Sequence, residues 1–266
     1  MTDLPLDSLM SIACAAARVG GKELTSRFGR TSRDTIEKKA HGDYASQADL
    51  SAEQAIAAVL ATAGDSYGFL GEETGISRAG AGTQWVVDPL DGTTNFIWGI
   101  PYFAVSIALC GKQGELLGVV YDPLREEMFT AIRGQGARLN GDALPALTGK
   151  QPEDAIISLS MPVQGQLKAV GRDVFFRGVD TVTSTAAGVR RLGSAALDLA
   201  YIAAGRLDGY FEDSLSYYDY AAGKLLAQEA GALVTSLSGS TPQDGSILAG
   251  TAPVHHWLSR DIFAAR

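Results

Sequence analysis

The stretch 85–96, WVVDPLDGTTNF, constrains this chain more than any other. Trp85, Val86 and Val87 have the character of a buried strand that delivers Asp88 at its end. Pro89 has no amide hydrogen to donate, so the strand is expected not to continue as a ladder. Asp91 follows three residues after Asp88 on the same tight turn. Two carboxylates so placed repel unless a proton or a cation lies between them, and hard divalent cations favour such oxygen ligands. Gly92-Thr93-Thr94 then reads as a helix start whose free amides suit an anion beside the cations. Alone, an Asp-Gly pair reads as a turn and a strand-end Asp as a cap. The complete order of strand, D-P-L-D and G-T-T is what points to a metal and phosphate site.

The remaining composition narrows the function classes. At 266 residues the chain can hold one large core or two joined halves. Its 46% apolar and 20% charged residues are ordinary for a soluble globular protein. A net charge of −8 argues against a nucleic-acid partner, which needs a basic face. An anionic substrate would then need positive charge supplied locally, as bound metal ions do. Cys14 and Cys110 read as two buried thiols in a reducing compartment. No leader-like start and no membrane-length apolar run is seen, so a cytoplasmic protein with no membrane partner is expected.

Periodicity predicts a helix over 6–28, a polar loop or mobile hairpin over 29–44, and a helix over 50–63 capped by Asp49 and ended by Gly64. A strand over 67–70 runs into Gly71-Glu72-Glu73, and strands over 103–110 and 115–121 form a hairpin through 111–114. A further strand covers 128–132. The polar region 140–154 reads as a junction, giving an N-terminal half, 1–145, with the metal-binding turn and antiparallel sheet. The C-terminal half, 146–266, completes the site with strands over 156–159, 210–211 and 247–249 and helices over 194–204, 219–230 and 254–264. The expected fold class is α/β (α+β layered), with helix and sheet layers. Adjacent Glu72 and Glu73 alone would read as solvated, and Asp219 alone as an ordinary cap.

FLGEETG, WVVDPLDGTTNF, RRLGSAALDLAYIAAGRLDGYFE and YDYAAGKLLAQEAGA, in this order and spacing over about 38–250, resemble the motifs of the inositol monophosphatase family. These are magnesium-dependent, lithium-sensitive sugar phosphatases, often homodimeric, with alternating helix and sheet layers. The resemblance implies Mg2+ as cofactor, held by the carboxylates of Glu72, Asp88, Asp91 and Asp219 and the carbonyl of Leu90. It implies phosphate contacts from Gly92 and Thr93. It matches Asp49 and Thr93 to a pair that positions the attacking water with Glu72. It places Ser194, Ala195 and Glu212, with Asp91 and Asp219, on the substrate side. Glu73 is expected to be structural.

The chain departs from the common pattern at Tyr218, where Trp is usual, at Trp98, where His is frequent, and at Ser216. These bear on substrate more than on chemistry. Arg190-Arg191 reads as a solvated or subunit-interface pair before a phosphate contact, and Lys38-Lys39 as exposed. His255-His256 is expected to be solvated on a surface helix. The reaction this implies is hydrolysis of a small polyol phosphate, foremost myo-inositol 1-phosphate, by in-line attack of a metal-activated water. Histidinol phosphate, a sugar bisphosphate and a nucleotide 3′-phosphate are the alternatives within the family. A regulatory binding protein that keeps the fold is the alternative outside enzymes.

Overall fold

The computed structural model describes residues 4–30, 37–40, 43–45, 47–78, 82–162, 165, 167–243 and 245–263. The chain opens with α1 (Leu6–Arg27), the antiparallel pair β1 (Glu37–Ala40) and β2 (Asp43–Ala45), and α2 (Gln47–Leu60). An eight-stranded sheet follows from β3 (Gly68–Gly71), β4 (Gly75–Arg78), β5 (Gln84–Asp91), β6 (Ala104–Gly111), β7 (Gly114–Asp122), β8 (Glu127–Ile132), β9 (Ala137–Leu139) and β10 (Asp142–Ala143). The short helix α3 (Thr93–Trp98) lies between β5 and β6. The second sheet holds β11 (Ile156–Leu159), β12 (Gly188–Arg190), β13 (Gly209–Glu212), β14 (Leu233–Thr235) and β15 (Ile247–Gly250). Among these strands run α4 (Arg172–Thr185), α5 (Ala195–Ala203) and α6 (Tyr217–Glu229), and α7 (Ala252–Trp257) follows with a π-helical tail to Phe263.

Side chains alternate along each strand, and that alternation builds the layers. In β5, Trp85 and Val87 enter one core while Val86 enters another. In β6, Val105, Ile107 and Leu109 join the first core, and Ala104, Ala108 and Cys110 the second. The first core holds the buried faces of α1 and α2, such as Leu9, Ala13, Ala52 and Ile56. The second holds Ala196, Leu197, Ala221 and Ala222 from α5 and α6. The opposite side of those two helices, through Leu199, Ile202 and Ala227, meets Tyr210, Ile247 and Ala249 of the second sheet. Phe211 and Leu248, pointing the other way, pack on Phe175 and Val182 of α4 and Val254 of α7. The order is therefore helix, sheet, helix, sheet, helix, as the motif resemblance implies.

The eight-stranded sheet runs β10-β9-β8-β7-β6-β5-β3-β4 and is antiparallel except for the β3–β5 pair. The second sheet runs β12-β11-β13-β15-β14, with β12, β11 and β13 parallel. A buried ion pair secures α6 to the first sheet: Lys224 Nζ lies 3.0 Å from both oxygens of Glu115, which also accepts from the Tyr217 hydroxyl at 2.8 Å. Removing one partner of such a pair costs about 3–5 kcal/mol, because the other charge stays buried alone.

Several local expectations change. Asp49 does not cap α2; the helix begins at Gln47, and Asp49 sits buried in its first turn. Asp219 does not start α6 either: Ser216 is the cap, and Asp219 is the third helical residue of a reciprocal capping box. Pro89 does not end β5. The ladder with β6 breaks after Asp88 and resumes at Asp91 opposite Ala104, so Pro89 and Leu90 form a bulge. His255 is buried, with Nε2 3.0 Å from Thr235 Oγ1, whereas His256 is exposed. Cys14 is half-buried. The helix α4 has no counterpart among the sequence expectations. His41 and the side chains of Lys38 and Lys39 lie outside the described residues.

Candidate active site

Three strand and helix ends converge on one cleft. The bulge at Pro89-Leu90 turns the end of β5 so that Asp88 accepts from its own loop, Leu90 N to Oδ1 at 2.9 Å. Asp91 points across to the C-terminal half, where its Oδ2 accepts from Ser194 Oγ and Ala196 N, each at 2.6 Å. Asp219 accepts from Ser216 N at 2.6 Å. Each carboxylate is thus held by the protein's own donors, and two carboxylate oxygens offer more lone pairs than these bonds use. Gly92 follows with φ +96° as the cap of α3, and a Cβ there would stand 3.0 Å from Tyr102 O and 3.2 Å from Gly193 O. Only glycine suits that combination of backbone and space.

Glu72 arrives from the end of β3, where its amide donates to Val87 O at 3.1 Å. The turn that carries it is braced from below by buried Glu53 of α2, which accepts from Glu73 N at 2.8 Å and Thr74 N at 2.9 Å. The Thr93 hydroxyl donates to the Leu90 carbonyl at 3.0 Å, joining two residues expected in the site.

The cleft has a volume of about 360 Å³. Glu72, Asp91, Gly92, Thr93, Ala195, Glu212 and Asp219 line it, as does Tyr218. Asp88, Leu90 and Ser194 are buried behind its wall, and Asp49 is not part of the lining. Larger hollows, of about 770, 890 and 520 Å³, lie elsewhere on the surface. Chemistry rather than size singles out the cleft, since it gathers the predicted residues.

The electrostatics are those of crowded acids. Burial, and then the charges of Glu72, Asp91 and Asp219, hold the Asp88 carboxyl well above the usual carboxylate range. Asp219 is raised well above it too, by burial and then by Asp91 and Glu72. Burial pushes Asp91 up to about 6 against the lowering effect of its Ser194 and Ala196 donors. Burial pushes Glu212 to about 7; its Tyr210 and Ser160 hydrogen bonds and Arg191 act in the opposite direction. Among the described residues, no three His, Cys, Asp or Glu side chains already stand as a closed ion cage. The donor chemistry still fits Mg2+: hard carboxylate and carbonyl oxygens whose mutual repulsion a cation would relieve.

Sequence reasoning missed Glu53, Asp198 and Asn95 here and ranked an anion contact for Arg191 second. Glu53 carries a helical-spacing signal, four residues after Asp49 on the same face. Asp198 lies four after Ser194 in the same way; it is buried and accepts from Tyr102 OH at 2.8 Å and Ser158 Oγ at 3.0 Å. Arg191 reaches the cleft, and among the described residues lining it, Arg191 is the only base. Asn95 carries no signal but its place in the motif.

Comparison with known proteins gives the family. The model of the inositol monophosphatase family matches residues 5–264. An inositol-1-monophosphatase of Mesorhizobium japonicum is 42% identical over 259 residues, covering 96% of each chain. A protein named Nus factor SuhB of Pseudomonas aeruginosa is 43% identical over 251 residues, covering 92% of each. The crystal structure of extragenic suppressor protein suhB from Bartonella henselae superposes with a TM-score of 0.89 at 39% identity, covering 96% of this chain and 98% of that one. The chain belongs to the inositol monophosphatase family.

Proposed function

We propose that this phosphatase hydrolyses a small polyol phosphomonoester, with myo-inositol 1-phosphate the favoured substrate, and that it requires Mg2+ and is inhibited by lithium. The observation that carries the reading is the convergence of Glu72, Asp91 and Asp219 on one cleft, with Asp88 behind them raised by burial and then by their charge. Glu72, Asp88, Asp91, Asp219 and the Leu90 carbonyl would hold the cation. When bound, Mg2+ supplies positive charge to the phosphoryl oxygens and acidifies water.

The chain's own groups would do the rest. The amides of Gly92 and Thr93 receive the phosphate. Glu72 and the Thr93 hydroxyl hold and orient the attacking water, with Asp49 as acceptor for that hydroxyl. This arrangement requires Thr93 to turn from the Leu90 carbonyl, its partner in the structure. Glu212 and Ala195, which line the cleft, would face the alcohol, whereas Ser194, expected beside them, is buried behind the wall and would act through Asp91. A carboxyl titrating near neutrality, like Glu212, can accept from a polyol hydroxyl or face an ammonium group.

A side-by-side kinetic comparison of inositol 1-phosphate, histidinol phosphate, fructose 1,6-bisphosphate and adenosine 3′,5′-bisphosphate tests the substrate. The reading expects the highest kcat/KM for the first; a higher value for any other overturns it. The 43% identity to a protein named a Nus factor favours one second reading, a binding role beside catalysis. Retention of that role in a catalytically dead Asp88→Asn variant would support it. The proposed setting is a cytoplasmic homodimer. No helix among the described residues is long and apolar enough to cross a membrane.

A further inference from the structure

The two halves of the cleft come from chain segments about a hundred residues apart, and one side chain joins them below the surface. Asn95 of α3 is 8% exposed. Its Nδ2 donates to Tyr102 O at 2.8 Å, in the N-terminal half, and to Leu192 O at 2.8 Å, in the C-terminal half, with Gly193 O at 3.4 Å. A side-chain amide has two donor hydrogens, and both carbonyls lie at good hydrogen-bond distance.

The turn so held leads straight into the grip on Asp91. Gly193 adopts φ +88°, and a Cβ there would stand 3.2 Å from Asn95 Nδ2, so the turn lies directly against the amide. Ser194 and Ala196, the next residues but for Ala195, are the two that donate to Asp91 Oδ2. Asp91 itself lies four residues before Asn95. Asn95, the 192–193 turn, Ser194 and Asp91 therefore close a ring that crosses from one half of the chain to the other.

We propose that Asn95 is a positioning residue: it locks the 192–193 turn to α3 so that Ser194 Oγ and Ala196 N fix the orientation in which Asp91 is offered to a cation. The inference rests on the reading of Asp91 as a metal ligand. Loss of a residue that orients a ligand typically costs about 10–100-fold in metal affinity or activity. Mg2+ affinity should therefore suffer, whereas a residue that only adds stability would leave it unchanged.

Asn95→Leu removes the donors without adding a charge, and Asn95→Asp, which keeps the shape but adds an ionisable group, is a second variant should the first not fold. Val182→Ala, in the core between α4 and the second sheet, controls for lost stability. Two readouts are used. Amide hydrogen exchange of the metal-free protein should rise over 192–197 in the Asn95 variants and not in Val182→Ala. Calorimetric titration with Mg2+ alone should show affinity about 10-fold or more weaker in the Asn95 variants only. Unchanged exchange over 192–197 overturns the lock, and faster exchange with wild-type Mg2+ affinity overturns the positioning role. Asp91→Asn is titrated alongside: if it binds Mg2+ as the wild type does, the ligand reading fails together with the inference. A failure confined to Asn95 leaves that reading standing.

Discussion

Ser194 Oγ donates to Asp91 Oδ2 at 2.6 Å across 103 residues of chain, and this contact closes the cleft between the turn at the end of β5 and the start of α5. The same hydroxyl accepts from Leu197 N at 3.4 Å as the cap of α5, so helix start and carboxylate share one atom. Ser194→Ala should lower helix stability by about 1 kcal/mol. It should also weaken Mg2+ binding, because Asp91 loses one of the two donors to its Oδ2. Thermal melting with and without Mg2+ checks both effects, and a smaller Mg2+-induced rise in Tm than the wild type shows is the expected sign.

Asp88→Asn should abolish turnover while keeping the fold. Asp88 is buried, and its charge is opposed by Glu72, Asp91 and Asp219, so the neutral amide should make the metal-free protein more stable. A higher Tm in chelator together with lost activity is the predicted pair. Near-normal turnover at saturating Mg2+ would remove Asp88 from the site.

The same crowding sets a pH dependence. Asp91 and Glu212 bind protons more tightly folded than unfolded, with values near 6 and 7. A raised folded pKa gives stability that is present at low pH and lost as pH rises through the folded value. Metal-free protein should therefore melt at progressively lower temperature from about pH 5 to about pH 7, with both contributions constant above that. His255 opposes the trend in the lower part of that window, since burial lowers it to about 4 and it resists the protonation that unfolding allows. Saturating Mg2+ should flatten the slope, and equal slopes with and without Mg2+ would argue that no cation enters this cluster.

Asp49 and Thr93 decide whether a water relay operates. Asp49 is not the cap of α2, so Asp49→Asn cannot be excused as a swap of one good cap for another. The relay predicts a fall in kcat of about 10²-fold with KM nearly unchanged. Thr93→Ala should show a similar loss, and the double variant little more, because the two act as one unit. A double variant slowed by the product of the single effects would mean independent action.

Most of the layer order was readable because strands buried on both faces are continuous apolar runs, as in 103–110 and 115–121. The turn that carries two of the cleft carboxylates was readable because Asp88, Pro89, Asp91 and Gly92 sit within a few residues of one another. What stayed hidden depends on packing. Arg172–Thr185 has few apolar residues and is fixed as a helix by burying Phe175 and Val182 on the second sheet. His255 reads as a surface residue until β14 supplies Thr235. Asn95 and Glu53 act through backbone groups distant in sequence, and no local pattern encodes those partners.

Glu212 tests the alcohol side. It is hydrogen-bonded to the Tyr210 hydroxyl and lines the cleft. Glu212→Gln should raise KM for the true substrate more than it lowers kcat. Unchanged kinetics on every substrate turned over would remove Glu212 from the site.

The most direct test of the account is phosphate release from inositol 1-phosphate by the purified protein with Mg2+, then in excess chelator, then with Mg2+ restored. The account predicts turnover, its loss, and its return. Full activity in excess chelator, or no release from this or any other phosphomonoester at saturating Mg2+, would contradict it.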